Sequence, residues 1–373
     1  MSSKQLHVVS FDIPFPADYG GVIDVFYKLK ALHKAGVAVY LHCFAYGRKE
    51  AAILDDFCTA VYYYPRIESY KSLPFRLPHI VASRQHPNLL KRLVHIDAPI
   101  LFEGLHTCYY LSHPLLKTRQ KMVRMHNIEW HYYGLLAKGE KKRLKKLYCL
   151  VEAYQLKRFE KVLQKANRVF AISNNDLAYL EQHFPHTPIN YLPAFHPNEQ
   201  VNSLVGKGDY LLYHGNLSVA ENHQAALYLI EKVLCNIQVK VVIAGKNPRP
   251  SLLKAAKQYT HIKVVANPSN TDLTDLIRHA QVHVLPTFQA TGIKLKLLNA
   301  LYNGRFCLVN SNMVNNTDLA SLCHIADTPE AFKSKVLTLV NRSFEEKELT
   351  IRQSKLNDLF NNATNIAKIV NLL

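Results

Sequence analysis

Short apolar runs alternate with longer amphipathic segments along the first half of the chain. Residues 5–12 (QLHVVSFD) form a continuous apolar run that predicts a buried strand, and residues 23–35 have the spacing of a helix. Strands that alternate with helices in this way are typical of parallel sheets with crossover helices. The same pattern predicts further strands at residues 37–43, 61–64, 100–103, 121–125, 168–172 and 189–193.

A proline-containing polar segment at residues 193–203 separates two similar halves. Beyond it the alternation begins again, with strands predicted at 209–214, 239–245, 262–266, 282–286 and 306–310, and helices at 222–234 and 271–280. The chain is therefore predicted to be α/β, with Rossmann-like domains at 1–195 and 196–355 and a C-terminal helix at 356–373 that can cross back to the first domain. Two such sheets facing each other would form a cleft at the carboxyl ends of their strands.

Length and composition agree with two domains in the cytoplasm. The 373 residues suit two domains of roughly 150–200 residues each. No run reaches the roughly 18 apolar residues of a membrane span, and the N-terminus lacks the apolar core of a signal peptide. The seven cysteines include no Cys-x-x-Cys pair, so reduced thiols are expected rather than disulfides or a zinc site.

The net charge of +18 predicts an anionic partner. Residues 1–195 hold 27 Lys and Arg against 15 Asp and Glu. The densest cluster lies on predicted amphipathic helices, and it comprises Lys138, Lys141, Lys142, Arg143, Lys145, Lys146, Lys157, Arg158, Lys161, Lys165 and Arg168. This basic helix face is interpreted either as peripheral contact with an anionic membrane or as a solvated surface. Nucleic acid is the weaker alternative, because no zinc-finger, RNP or KH motif is present.

Polar residues follow the predicted strands of the first half where ligands bind in such sheets. Gly20 and Gly21 lie between the first strand and the first helix, where glycines let a ligand approach backbone N–H groups. His126 comes directly after another strand and can bond a sugar hydroxyl or transfer a proton. The neighbouring polar residues expected to line the same cleft are Glu103, His106, Asn127 and Glu129.

In the second half, residues 291–300 (TGIKLKLLNA) carry the corresponding signal. A helix is predicted to begin after Gly292, so that free N–H groups point into the cleft. Lys294 and Lys296 near this helix N-terminus oppose the helix dipole, which makes sense if an anion such as a diphosphate lies between them. Asn299, one turn further on, can bond ribose hydroxyls. The alternative is a pair of solvated lysines.

These motifs together resemble those of the retaining glycosyltransferases of GT-B fold, the large family-four group (glycosyl transferases group 1). Gly20-Gly21 is similar to the glycine pair that approaches the donor phosphate, and His126 to a histidine near the donor sugar. Gly215 and Asn216 are similar to the turn that opens the C-terminal domain. Residues 292–304 match closely the subset pattern Gly-Ile-Lys-x-Lys-x-x-Glu-Ala-x-x-x-Gly, with Asn299 at the position of its Glu. The resemblance covers nearly the whole chain.

The resemblance implies two Rossmann-like domains facing a cleft and a metal-independent transfer with retention of anomeric configuration. It implies no cofactor beyond the nucleotide-diphosphate sugar, and it makes His126 and Lys296 the catalytic candidates. The expected donor-binding residues are Gly20, Gly21, Gly215, Asn216, Thr291, Gly292, Ile293, Lys294 and Asn299. The expected acceptor-binding residues are Glu103, His106, Asn127 and Glu129.

The sequence departs from the family pattern at several positions. The two hallmark glutamates fall at Thr291 and Asn299, and the places of an Arg and a Lys common among relatives hold Asn216 and Glu221. Asn299 still offers hydrogen bonds to a ribose, though without charge. Lys294 and Lys296 are expected to take over neutralisation of the phosphates.

The predicted function is sugar transfer from a nucleotide-diphosphate sugar to a glycan or lipid-diphosphate glycan, in cell-surface polysaccharide synthesis. The excess charge of the first domain suits a lipid-linked acceptor at the inner membrane face. One alternative is a non-catalytic nucleotide- or carbohydrate-binding scaffold that has lost the glutamate pair. Another is a sugar-nucleotide epimerase, which the scarcity of carboxylates in the motif loops disfavours.

Overall fold

The computed structural model describes residues 4–68, 76–288, 295–315 and 317–373. These residues divide into two compact units. The first comprises the described residues up to Pro197 together with Phe360–Leu373, and the second comprises those from Asn198 to Leu359.

The described residues of the first unit include seven strands: β1 (Gln5–Ser10), β2 (Ala38–Ala45), β3 (Ala60–Pro65), β4 (Ile100–Glu103), β5 (Lys121–Arg124), β6 (Arg168–Ala171) and β7 (Ile189–Tyr191). They form one parallel sheet in the order β3-β2-β1-β4-β5-β6-β7. Between these strands lie the α-helices α1 (Gly20–Lys34), α2 (His79–Ala82), α3 (Pro87–His95), α4 (Glu129–Gly139), α5 (Arg143–Phe159) and α6 (Asn174–His183).

Both faces of this sheet are buried, as parallel sheets require. Alternate residues of β1 serve the two faces: Leu6 and Val8 join the core that contains α1, whereas Val9 joins the core that contains Phe102. Ser173 caps α6 by accepting a hydrogen bond from the N–H of Asp176, as the sequence predicts.

The described residues of the second unit include six strands: β8 (Leu211–His214), β9 (Val241–Gly245), β10 (Ile262–Ala266), β11 (Val282–Leu285), β12 (Phe306–Val309) and β13 (His324–Ile325). They form a parallel sheet in the order β10-β9-β8-β11-β12-β13. Its α-helices are α7 (Ala220–Tyr228), α8 (Pro250–Ala256), α9 (Asn270–His279), α10 (Leu295–Asn303), α11 (Ser311–Val314), α12 (Pro329–Val340) and α13 (Glu346–Phe360).

The chain returns to the first unit at its C-terminus. The last helix, α14 (Asn362–Val370), buries Ile366 and Ile369 in the core that also contains α1. The side-chain amide of Asn362 donates a hydrogen bond to the carbonyl of His196 at 2.8 Å. The C-terminal segment therefore belongs structurally to the first unit.

The predicted α/β class, with a Rossmann-like parallel sheet in each half, is confirmed. The helices differ from the prediction in three places: α1 begins at Gly20 rather than residue 23, α7 continues as a π-helical turn over Leu229–Leu234, and the C-terminal helix predicted at 356–373 is divided at Asn361 between α13 and α14. In each sheet the strand order reverses once, between β1 and β4 and between β8 and β11. Such reversal points are where open α/β sheets bind ligands.

Candidate functional site

A buried ion network lies at the reversal point of the first sheet. Asp24 and Lys28 are one helical turn apart in α1, and each side chain is only 1% exposed. The Lys28 ammonium lies 2.7 and 2.8 Å from the two carboxylate oxygens of Glu103, the last residue of β4, and 3.1 Å from Asp24 Oδ2. Because charges removed from water need close partners, these contacts offset the cost of burying all three groups.

Arg124 and His126 complete this network from the end of β5. The Arg124 guanidinium lies 3.4 Å from Asp24 Oδ2 and donates to the carbonyls of Leu192 and Pro193. His126 Nε2 lies 2.9 Å from Glu103 Oε2. The imidazole is therefore oriented by a carboxylate that Lys28 holds in place.

Both carboxylates of the network are ionised at neutral pH. Burial opposes ionisation, but the attraction of Lys28 and the hydrogen bond with His126 lower the pKa of Glu103 below its usual value. Burial is likewise outweighed at Asp24, where Lys28 and Arg124 lower the pKa. Ligand atoms of Asp24, Glu103 and His126 lie within 4.8 Å of one another, but Lys28 and Arg124 already supply the positive charge that a metal ion would bring.

The glycine pair packs next to this network. A Cβ added at Gly21 would lie 2.7 Å from the ring of Phe11, so a side chain there would displace the aromatic ring. The Phe11 ring centroid lies 5.3 Å from that of His126 and 5.5 Å from that of His106. The structure thus brings Gly21, His106 and His126 together around one aromatic ring.

His106 and Glu129 face each other across this region. Their nearest atoms, His106 Nδ1 and Glu129 Oε1, are 3.8 Å apart, and neither atom has a hydrogen-bond partner among the described residues. Burial raises the pKa of Glu129 to about 8, with Asn127 bonding to its side chain, and burial lowers the pKa of His106 well below its usual value. At neutral pH the pair is a carboxylic acid and a neutral imidazole, which can donate and accept hydrogen bonds.

In the second unit, Lys296 lies at the carboxyl end of β8. Its ammonium donates to Asn222 Oδ1 at 2.9 Å and lies 5.2 Å from the centroid of the Tyr213 ring. The Asn222 amide in turn donates to the carbonyl of Asn216 at 3.0 Å. Burial, together with the charge of Lys296, lowers the pKa of His214 to about 3. The side chain of Asn222 therefore links Lys296 to Asn216, and both of these residues are expected to bind the sugar donor.

The loop that holds Gly215 and Asn216 packs directly on the end of β9. A Cβ at Gly245 would lie 1.8 Å from the carbonyl oxygen of Gly215, so glycine is required for this close approach. Asn216 Oδ1 accepts hydrogen bonds from the N–H and the hydroxyl of Ser218 at 3.1 and 2.7 Å. Arg249, which follows β9, donates to the carbonyl of Ser218 at 2.7 Å. The loop is thus fixed and has a cation beside it.

A second link crosses the reversal point of this sheet. The Thr287 hydroxyl, beyond the end of β11, donates to Glu221 in the first turn of α7. Asn310 holds the backbone of Thr287 through hydrogen bonds of 3.0 and 2.7 Å.

Asn299, which is expected to bind the donor ribose, accepts a hydrogen bond from the amide of Asn303 at 2.8 Å.

Four of the residues expected to bind the donor lie outside the described residues, namely Thr291, Gly292, Ile293 and Lys294. Glu103 differs from its expected role, because its side chain is fully buried and contacts Lys28 and His126 rather than open space. The structure brings Gly21, His106 and His126 together around Phe11, with Glu129 beside His106 and Asn127 bonded to Glu129. It brings Gly215, Asn216 and Lys296 together near Asn222.

Sequence reasoning missed Asp24, Lys28 and Arg249. Opposite charges four residues apart inside the apolar pattern of α1 are an available signal for the first two, since helices rarely bury unpaired charge. Arg249 follows a predicted strand, and its position after that strand end could have identified it.

The comparisons with known proteins support the resemblance seen in the motifs. Residues 208–342 match the family model described as Glycosyl transferases group 1. A curated relative, an uncharacterised 44.6 kDa protein in the cps region of Klebsiella pneumoniae, is 27% identical over 324 residues, which are 82% of each chain.

Solved structures with a similar fold include enzymes that act on sugars. Sucrose-phosphate synthase from Thermosynechococcus elongatus aligns with a TM-score of 0.68 at 14% identity, over 99% of this chain and 98% of that one. Anabaena HepE in complex with UDP and glucose aligns with a TM-score of 0.64 at 9% identity, over 99% of each chain.

A trehalose-phosphate synthase from Burkholderia xenovorans, in complex with glucose-6-phosphate, aligns with a TM-score of 0.61 at 9% identity, over 99% of each chain. At these identities the similarity establishes the fold. The chain therefore has the GT-B fold of the glycosyltransferases, and residues 208–342 of it match the glycosyl transferases group 1 family.

Proposed function

We propose that the protein is a glycosyltransferase that takes a sugar from a nucleotide-diphosphate donor held by the second unit. The observation that carries this proposal is the anchoring of Lys296 by Asn222 at the carboxyl end of β8, beside the loop of Gly215 and Asn216. A fixed ammonium at the reversal point of a parallel sheet suits a diphosphate. Arg249 adds a second cation beside this loop.

In this reaction the second unit must stabilise the diphosphate leaving group. The bond between the anomeric carbon and the phosphate oxygen breaks, and negative charge develops on the diphosphate. Preorganised cations such as Lys296 and Arg249 stabilise that charge. The acceptor hydroxyl attacks the anomeric carbon, and its proton passes to the departing phosphate, with retention and without a metal, as the resemblance implies.

Asn216 and Glu221 stand where relatives commonly hold an Arg and a Lys. Glu221 binds the Thr287 hydroxyl and thereby links α7 to the end of β11. Arg249, from the neighbouring strand, supplies a positive charge to the same loop. Arg249 can therefore replace one of the two cations that relatives commonly hold. This supports a donor site that keeps positive charge although Asn216 and Glu221 depart from the family pattern.

In the first unit, His126 would contact the transferred sugar. Glu103 and Lys28 position its imidazole, so Glu103 acts through His126 rather than on substrate. The protonated Glu129 and neutral His106 would bond acceptor hydroxyls, because each of the two groups can both donate and accept a hydrogen bond. Gly20 and Gly21 present the N-terminus of α1 to the donor phosphates.

We further propose a role in cell-surface polysaccharide synthesis, with a glycan or lipid-diphosphate glycan as acceptor. Support comes from the Klebsiella pneumoniae relative, whose name places it in a cps region. The concentration of positive charge in the first unit favours an anionic, lipid-linked acceptor.

The second candidate function is a scaffold that binds nucleotide without turnover. The observation that favours it is the presence of Thr291 and Asn299 at the positions of the two hallmark glutamates. Binding and turnover must therefore be measured separately.

The donor site is tested by calorimetric titration of UDP, GDP and ADP into wild-type protein and Lys296→Ala. We expect one nucleoside diphosphate to bind, and Lys296→Ala to weaken it at least tenfold, because a charge-assisted contact with phosphate is lost. Lys254→Ala, which removes an exposed lysine of α8, is the matched control and should bind normally. Equal affinity in wild type and Lys296→Ala would refute the assignment.

A further inference from the structure

The outward face of α5 is apolar. Leu144 is 84% exposed, Leu147 58%, Val151 42% and Tyr154 62%. Leu150 adds a further exposed side chain at 49%. Single exposed apolar residues are ordinary on protein surfaces, but a contiguous row along one helix marks an interaction surface.

The helical spacing places these side chains on one stripe. Leu144, Leu147, Val151 and Tyr154 recur at intervals of three and four residues, so they share a face. The inward face is formed by Cys149, Glu152 and Leu156, which recur in the same way and are buried. At about 100° per residue the two faces point in opposite directions. Amphipathic helices with a basic face are predicted here from the sequence, and the structure shows that the exposed face of α5 carries apolar side chains as well.

The surroundings of the stripe are cationic. Glu152 and Glu160 are buried, and Glu140 pairs with Lys145 at 2.9 Å, so the carboxylates of this segment leave little negative charge on the surface. The basic residues of α4, α5 and the turns that flank them are Lys138, Lys141, Lys142, Arg143, Lys145, Lys146, Lys157, Arg158, Lys161 and Lys165. Apolar side chains bordered by lysines and arginines are the features of a helix that lies in the headgroup region of an anionic bilayer.

We propose that the hairpin of α4 and α5 docks the protein on an anionic membrane, with the stripe of Leu144, Leu147, Val151 and Tyr154 inserted at the boundary of headgroups and acyl chains. The neighbouring lysines reach lipid phosphates, since their long side chains can extend along apolar surface. A second copy of the chain is a poorer occupant, because two cationic surfaces would repel each other. In the part of the chain that the structure describes, no helix has the length and apolar character needed to cross a bilayer.

This inference does not depend on sugar transfer. Electrostatic attraction brings the hairpin to the membrane, and apolar insertion retains it. A purely electrostatic contact would be released by salt, whereas inserted leucines would keep part of the protein bound.

The test is flotation of the full chain with vesicles of phosphatidylcholine alone and of phosphatidylcholine with about one third phosphatidylglycerol. We expect binding to the anionic vesicles and little to the neutral ones. The triple variant Leu144→Ser, Leu147→Ser and Val151→Ser should lower the partition coefficient at least tenfold. Leu337→Ser in the second unit, where the leucine is 54% exposed, is the matched control and should bind as wild type does.

The second measurement is how vesicle binding depends on ionic strength and on the positive charge of the hairpin. Raising the ionic strength from about 0.1 M to about 0.5 M should weaken wild-type binding severalfold without abolishing it. Lys142→Gln with Lys146→Gln should also weaken binding severalfold, whereas Lys257→Gln, an exposed lysine of the second unit, should have no effect. Complete release of the wild type at the higher ionic strength would contradict insertion of the stripe.

Two further outcomes would overturn the proposal. One is equal flotation of wild type and the triple serine variant. The other is a wild-type oligomer that the triple variant converts to a monomer in analytical ultracentrifugation without vesicles, since this face would then join copies of the chain. Nucleoside-diphosphate binding measured on the same samples separates failure of this inference from failure of the proposed enzymatic function.

Discussion

At the residue scale, the first unit depends on charges that satisfy one another away from water. Lys28 lies between Asp24 and Glu103, and Glu103 in turn holds His126. Removing Lys28 alone would leave the buried carboxylates of Asp24 and Glu103 with less positive charge beside them, which is more costly than losing the whole set. The orientation of the His126 imidazole is therefore coupled to the stability of the fold.

Glu129 should make the stability of the protein fall as pH rises. Burial raises its pKa to about 8, so between pH 4.5 and 8 the unfolded chain releases a proton that the folded chain retains. Glu129→Gln cannot ionise, so its free energy of unfolding should increase relative to wild type by about 1 kcal/mol per pH unit across this range.

Urea denaturation of both proteins at pH 5, 6, 7 and 8 measures this difference. Glu181→Gln, which changes an exposed carboxyl of α6, is the matched control. Parallel pH profiles for wild type and Glu129→Gln would show that Glu129 does not retain its proton in the folded protein.

At the element scale, the sequence predicted the described strands except the two-residue β13, and it predicted their parallel arrangement, because buried strands are continuous apolar runs between helical segments. The strand β4, for example, was predicted with its observed bounds, residues 100–103. The sequence could not predict which face of α5 points inward, because leucines occupy both sides of that helix and only tertiary packing determines which side is buried. The partners of Glu103 were hidden for a related reason: they come from α1 and from the end of β5.

The close contact between Gly245 and the loop after β8 predicts how a substitution at Gly245 changes stability. Gly245→Ala should lower the free energy of unfolding by about 1–3 kcal/mol, because the new methyl group would occupy the position of the Gly215 carbonyl. The displaced loop should also bind nucleoside diphosphate more weakly. Gly134→Ala in α4 is the matched control: its Cβ would have open space, and alanine favours a helix, so the same measurement should show equal or greater stability.

Urea denaturation and nucleotide titration of both glycine variants complete this test. Wild-type stability and nucleotide affinity in Gly245→Ala would mean that the loop does not need the close approach of Gly215 to Gly245.

At the scale of the whole molecule, each unit contributes a distinct set of groups. The first holds the network around Glu103 and His126 together with the cationic hairpin, and the second holds Lys296 beside the loop of Gly215. The cleft expected between the two sheets remains a prediction of the resemblance. We propose that the first unit binds the acceptor and the second unit binds the donor, as the resemblance implies.

The most direct test of the central claim is release of nucleoside diphosphate from a panel of UDP-, GDP- and ADP-sugars, followed by mass spectrometry. We expect wild-type protein to hydrolyse slowly the one donor whose nucleotide it binds, and we expect Lys296→Ala to reduce this rate by orders of magnitude while remaining folded. A wild-type protein that binds a nucleoside diphosphate but neither hydrolyses its sugar conjugates nor transfers their sugar to any glycan acceptor would contradict the account and establish the scaffold instead.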